Sequence, residues 1–454
     1  MSHDTPEQAA APATTATTDS EALPRTMGLG ALIIYGVGDM LGAGIYGLVG
    51  KGAHKLGNMV WLSFVVSMLA AIFTGLSYAS LGSRHPRAAG AAYIVGRAFR
   101  YRPLAYVVGL VVLCSGLTSL AAASRVSAGY IATFVPGAPL LPVSIGFVIA
   151  LALVTFMGMR ESTWLNVVCT TVEVGGLLFI IAVGARFWGS VDLTDARSVA
   201  NPSGDVSIGF LLSGAVLTFY AFVGFEDMLN VSEEVKDVKR NFPIGLLAAL
   251  GITTVVYVLI SITAISVVPH ADLAVSTGPL VEVSRRAAPW LPPSVYSAIA
   301  IFAVTNTALL NLVMGSRLVW GMAKQGLLPQ ALTTLHATRR TPHRAIVLLT
   351  AIVLVLVLLG DISSLARATS VLILAVFVVV NASLIVLQRR KGEAKGALEI
   401  PAIVPVIGIL ISLALVSGAE RAELLIAGAL VAVTIATYFV VRPKGLVEVD
   451  GVES

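Results

Sequence analysis

Residues 38–47 read GDMLGAGIYG, and within them Gly42, Gly44 and Gly47 have the spacing of a dinucleotide-binding glycine loop. That loop works only where a buried strand runs in and a helix runs out, so that the helix N-terminus can hold a pyrophosphate. Here the flanks are MGLGALIIYGVG and IYGLVGKGAHKLG, which places the glycines inside an apolar stretch of about 20 residues, the length that crosses a bilayer. A phosphate loop is excluded as well. Gly44 and Gly50 are six apart where that motif needs five, and Lys51 is followed by glycine in place of Ser or Thr.

Working outward, the chain has 454 residues, of which 57% are hydrophobic and only 12% charged. Soluble domains carry about a quarter charged residues. The expected fold class is therefore an all-α polytopic membrane protein. Apolar runs predict about 12 transmembrane helices, near 28–50, 58–82, 104–132, 142–160, 164–188, 207–231, 244–268, 294–324, 345–361, 363–388, 402–419 and 422–441. Residues 1–26 lack a basic segment followed by an apolar one, so they read as a disordered cytoplasmic tail and not as a signal peptide. Residues 442–454 read as a second cytoplasmic tail.

Lys and Arg concentrate in the connectors after spans 2, 6, 8 and 10. By the positive-inside rule both termini are cytoplasmic, in an inner or plasma membrane. The net charge of +5 is then a topology signal, and nothing supports nucleic-acid binding. Cys114 and Cys169 fall within spans, as small apolar residues without a disulfide. No CxxC, HExxH or GxSxG occurs, and the six histidines lie in loops or the tail. No metal site, cofactor or enzymatic constellation is expected.

A helix in lipid must satisfy its backbone internally, so irregular backbone survives only where protein buries it or where it lines a cavity. Glycine clusters mark two such places: span 1 has Gly36, Gly38, Gly42, Gly44 and Gly47, and span 6 has YAFVGFEDM around Gly224. These spans open two five-helix blocks, 27–188 and 207–388, followed by two further helices over 402–441. Secondary transporters with inverted repeats place their discontinuous helices there. Close helix packing is the competing use of glycine, but matched clusters beside acids favour breaks. Freed amides at Gly42, Ala43 and Gly44 suit an anion at a helix N-terminus. Freed carbonyls of Phe222, Val223 and Gly224 suit an ammonium, so that one pocket would hold the two charges of an α-amino acid.

Three motifs carry a resemblance: GAGIY (Gly42–Tyr46), FYAFVGFEDMLNVSEEVKDVKRNFPIG (Phe219–Gly245) and GSRLVWGMAKQGLLP (Gly315–Pro329). In these the chain resembles permeases of the amino acid–polyamine–organocation (APC) superfamily over essentially all its spans. The resemblance implies a LeuT-like 5+5 inverted repeat with broken helices 1 and 6. It also implies substrate binding by Gly42, Ala43, Gly44 and Ile45 and by Phe222, Val223 and Gly224, with Phe225 as an aromatic lid.

Acids inside spans are costly and call for a function. Asp39, one turn before Gly42, can contact a substrate cation, bind a proton, or pair with a cytoplasmic-gate arginine. Glu173 stands where several branches of the superfamily have a lysine that substitutes for a structural sodium ion. A lone carboxyl in an apolar span is a candidate proton carrier, the reading preferred here over neutralisation by a neighbour such as Arg125 or by backbone hydrogen bonds. Glu226 matches the usual helix 6 acid, which anchors the unwound segment or links the two broken helices, and with Asp39 and Glu173 it is a candidate coupling or proton-binding residue. Residues 233–240 read as a solvated mixed-charge helix. Ser115, Thr118, Thr305 and Asn306 are polar residues of spans 3 and 8 that shape the pocket or bond between helices.

The expected function is secondary active transport of amino acids by alternating access, with proton coupling, the bilayer and a small-molecule substrate as its partners. The alternatives are an amino acid/polyamine exchanger or, in another class, a transporter-derived sensor or a channel.

Overall fold

A computed structural model describes residues 25–441 apart from 26, 86–89, 158, 325, 326, 340 and 394. The tails expected at 1–26 and 442–454 lie outside the described residues except for Arg25, as do Gln325 and Gly326 of the third motif. Over the described residues the chain is helical and has no strand; a single bridge pairs Met27 with Val235.

The first predicted span is split into α1 (Leu29–Met40) and α2 (Ala43–Leu56). It is followed by α3 (Val60–Arg84), a short α4 (Gly90–Phe99), α5 (Arg102–Ile131), α6 (Leu140–Met157) and α7 (Met159–Gly184). Span 6 begins as α8 (Ile208–Phe219) and continues as 3-10 turns, Tyr220–Phe222 and Phe225–Glu234. Next come α9 (Val238–Val267), two short helices α10 (His270–Val275) and α11 (Pro279–Ala287), then α12 (Pro293–Lys324), α13 (His343–Leu359), α14 (Ile362–Arg389), α15 (Ile403–Ser417) and α16 (Arg421–Val441). Among the described residues nine stretches are long and apolar enough to cross a bilayer; α1, α13 and α15 are shorter apolar helices.

Local sequence explains several boundaries. Ser207 caps α8 by accepting from the Phe210 N–H (3.1 Å). Asp361 and Ser364 form a reciprocal capping box at the start of α14. The mixed-charge linker 233–240 is not one helix. The Met27 N–H donates to the Glu234 carbonyl (3.0 Å) and the Lys236 N–H to the Met27 carbonyl (2.8 Å), which takes the backbone groups a helix would use.

Without a hydrophobic drive between helices in lipid, small residues and buried polar contacts set the packing. Gly75 and Gly82 of α3 receive Leu250 and Phe242 of α9, and Gly245 of α9 receives Leu32 of α1. Fully buried Asn381 ties α14 to α3, accepting from Ser77 (2.6 Å) and donating to Thr74 (3.0 Å). The periphery is different. In α16 only Glu423, Ala427 and Thr434 are buried, a narrow stripe on an otherwise apolar exposed helix.

Ion clusters hold the two ends. At one end Glu420 bridges Lys55 of α2 (2.6 Å) and Arg367 of α14 (2.8 Å). At the other, Arg84 pairs with Glu399, while Glu393 receives His85 (2.9 Å) and Arg97 (2.7 Å). Burial works against the Glu393 charge, but Arg97 and His85 outweigh it and hold the carboxyl below its usual range.

Candidate functional site

The first break is two residues long. After Met40 the chain turns extended at Leu41 (φ −64°, ψ 159°), and Gly42 takes φ 126°, ψ −133° before α2 starts at Ala43. That conformation is open to glycine alone in practice. The sequence placed the unwinding over Gly42 to Gly44; instead Ala43 and Gly44 already belong to the first turn of α2. Thr307 of α12 explains the narrowness. Its hydroxyl accepts from the Ala43 N–H (3.3 Å) and donates to the Leu41 carbonyl (3.4 Å), so one side chain closes the gap. The N–H groups of Gly44 and Ile45 have no acceptor among the described residues, which leaves a first helical turn with donors to offer.

The second break lies at Val223 (ψ 132°) and Gly224 (φ 129°). Glu226 steadies it by accepting the Gly224 N–H (3.0 Å), the anchoring place expected for this acid. The Gly224 carbonyl is taken by the Asp227 N–H (3.0 Å), because the chain turns straight into a 3-10 helix. Carbonyls of Phe222 and Val223 have no donor among the described residues. Phe225 is fully buried between the rings of Tyr78 (5.7 Å) and Phe377 (5.1 Å).

The breaks touch each other. Gly44 lies on the backbone of Ala221, and Gly224 on the backbone carbonyl of Asp39; a Cβ at either glycine would press on the opposite main chain. Tyr257 of α9 spans the pair, its hydroxyl 2.5 Å from the Met40 carbonyl and 2.7 Å from the Ala221 carbonyl. The single hydroxyl hydrogen is shared between the two buried carbonyls, one at each break, and removing it leaves them without that donor. Tyr257→Phe should therefore lose about 1–3 kcal/mol of stability, read as a lower unfolding midpoint of the detergent-solubilised protein. An unchanged midpoint would show that the bridge is dispensable.

The acids gather around the same place. Asp39 occupies the last turn of α1, and its buried Oδ2 has no hydrogen-bond partner. No arginine pairs with it among the described residues. Glu173 is fully buried on α7, and its Oε1 lies 3.3 Å from the point where a Cβ on Gly42 would sit. Asn306 is beside it, short of a well-formed hydrogen bond to either carboxylate oxygen. Arg125 does not neutralise it. Its guanidinium donates instead to the Val357 carbonyl at the end of α13 (Nε 3.1 Å, NH2 2.5 Å), where a helix C-terminus favours positive charge.

Of the polar residues singled out on spans 3 and 8, Ser115 and Thr118 bond across to Thr369 of α14 (3.4 and 2.7 Å), as helix-to-helix contacts. Asn306 donates to the Gly38 carbonyl (3.4 Å) and Thr170 (3.1 Å). The residues the sequence reading missed are Thr307, Tyr257, Asn311, Ser119 and Tyr220. Thr307 and Asn311 stand one turn apart on α12 beside Ala303, a helical spacing visible in the sequence. Among the described residues no cluster of His, Cys, Asp or Glu could hold a metal ion.

Comparison with known proteins bears on this arrangement of two facing helix breaks. The amino acid permease family matches residues 28–441. The branched-chain amino acid permease BcaP of Bacillus subtilis (strain 168) is 27% identical over 428 residues, covering 88% of this chain and 89% of the relative. The methylthioribose transporter of the same organism is 27% identical over 411 residues, 86% and 87% of the two chains. Cationic amino acid transporter 4 of Mus musculus is 30% identical over 385 residues, 80% of this chain and 59% of the relative. Each is named a transporter or permease, not an enzyme. The chain is thus a multi-pass membrane protein of the amino acid permease family, within the APC superfamily.

Proposed function

We propose that this protein is a secondary active transporter of α-amino acids, working by alternating access with a proton as the coupled ion. The observation that carries the reading is the meeting of the two breaks. At one, the N–H groups of Gly44 and Ile45 are unpaired at a helix N-terminus; at the other, the carbonyls of Phe222 and Val223 are unpaired. A carboxylate suits the first and an ammonium the second. Ala43, engaged by Thr307, holds the register between them. In this reading helices 1 to 5 and 6 to 10 form a 5+5 inverted repeat within a fold of about 12 spanning helices. Both termini are cytoplasmic, because the basic connectors share the side of the N-terminal tail, in an inner or plasma membrane.

Glu173 is the proposed proton carrier, since a buried carboxyl beside a helix break, with no cationic partner among the described residues, can be neutral in one state and charged in another. Asp39 is the second candidate. The relatives are named for branched-chain and cationic amino acids and for methylthioribose, so the family leaves the side chain of the substrate open.

The grip on the α-carboxylate has a direct test in the melting midpoint of the detergent-purified protein. A ligand at 100 times its Kd stabilises by about 2.7 kcal/mol. Some of the twenty amino acids should raise the midpoint, and their decarboxylated amines should not. Stabilisation by amines or polyamines alone would overturn the reading.

A further inference from the structure

Beside the breaks, α5, α12 and the 220–222 turn meet at a triad of neutral polar side chains, Ser119, Asn311 and Tyr220. Its hydrogens can be counted. Asn311 Nδ2 donates to the Thr307 carbonyl (2.9 Å) and to Ser119 Oγ (3.2 Å). The Ser119 hydroxyl donates to the Tyr220 oxygen (3.1 Å), and the Tyr220 hydroxyl to the Ser119 carbonyl (3.1 Å). Each side-chain donor of the triad is thereby spent.

What remains is an acceptor. A backbone carbonyl can only accept, so the Asn311 nitrogen must face Thr307, which fixes the amide orientation. Its Oδ1 then points the other way, over Gly116, where a Cβ would lie 3.0 Å from it. No described group donates to this oxygen, and Asn311 is only half-buried. With no side chain at Gly116, no Cβ covers this oxygen from α5. The position is set by the breaks themselves: Thr307, one turn earlier on α12, closes the first, and Tyr220 begins the turn that leads into the second.

We infer that the triad is the side-chain subsite of the transporter, and that Asn311 Oδ1 selects α-amino acids whose side chain donates a hydrogen bond without carrying charge, the hydroxyl and carboxamide class. This rests on the function proposed above. No carboxylate belongs to the triad: Glu173 borders the Gly42 side of the first break, and Glu226 is spent on Gly224. A cationic side chain would meet no counter-charge there. An aliphatic one would cover the acceptor and leave it unpaired.

The test uses isosteric pairs in proteoliposomes carrying the full-length protein, with labelled substrates in counterflow. Threonine should outcompete valine, and asparagine leucine, by at least about tenfold, with lysine and arginine poor. Asn311→Leu should bring the threonine-to-valine ratio down by about tenfold or more. If that variant fails to fold, Gly116→Ala, whose methyl caps Oδ1 in an otherwise ordinary helix, should flatten the same ratio. A wild-type preference for valine, leucine or lysine, or a ratio indifferent to both variants, overturns the subsite assignment while leaving amino-acid transport intact. Counterflow of no amino acid at all removes the transport reading and this inference with it.

Discussion

Replacing Gly42 with alanine is expected to reduce transport to below about one hundredth of the native rate. Two costs combine. At φ 126° an L-residue is strained by about 1–3 kcal/mol, and the new methyl would overlap the Thr307 hydroxyl that closes the break. Together these exceed about 3 kcal/mol, a factor of more than about one hundred. Relief would come by rewinding the break or by pushing α12 away, and either one misplaces the donors of Gly44 and Ile45. Gly44→Ala should be comparably damaging, since its methyl meets the backbone of Ala221, which cannot rotate aside as a side chain can. Gly251→Ala is the control. It sits on the exposed face of α9 with nothing within 4 Å of the added atom, so transport should be unchanged. The measurement is initial uptake into proteoliposomes at matched protein content. Native rates for Gly42→Ala would mean that the break is not part of the working site.

The location of both breaks was legible because glycine in a lipid-spanning helix carries its own signal: Gly42 and Gly224 are the residues at positive φ in spans 1 and 6. Their extent was not legible. Whether Ala43 and Gly44 unwind depends on Thr307, some 260 residues away in the chain, and sequence spacing says nothing of such a partner. The same limit explains why Thr305 and Asn306 were named on span 8 and Thr307 was not. With about 3.6 residues per turn, one position changes the face. Polar residues follow each other through 305, 306 and 307, so the sequence alone does not choose among those faces. Tyr257 and Tyr220 are large and amphipathic, the kind of residue read by default as packing, and only their hydroxyl partners give them a role. Charge was the stronger guide. Glu173 and Asp39 stood out as intramembrane acids, and both lie beside the first break, whereas Arg125 went to a helix terminus that periodicity does not reveal.

Substituting Glu173 by glutamine should separate coupling from translocation. The amide has nearly the shape of the protonated carboxyl but can never ionise, so the variant is held in one of the two states a proton carrier must visit. For one proton per substrate, a gradient of one pH unit is worth about 1.4 kcal/mol and sustains about tenfold accumulation. The native protein should approach that value in proteoliposomes that are acidic outside, and Glu173→Gln should stop near equal concentrations inside and out. Counterflow exchange should persist, because the site's donors and carbonyls are main-chain groups the substitution does not touch. Asn306, beside the new amide, carries both a donor and an acceptor. Three outcomes discriminate. Accumulation that remains tenfold places the proton elsewhere, with Asp39→Asn as the next variant. Loss of exchange together with accumulation makes Glu173 a support for the break and no carrier. Loss of accumulation alone supports the reading in which the carboxyl, buried against Gly42 with no cation beside it among the described residues, trades its proton as the helix break opens to one side and then the other.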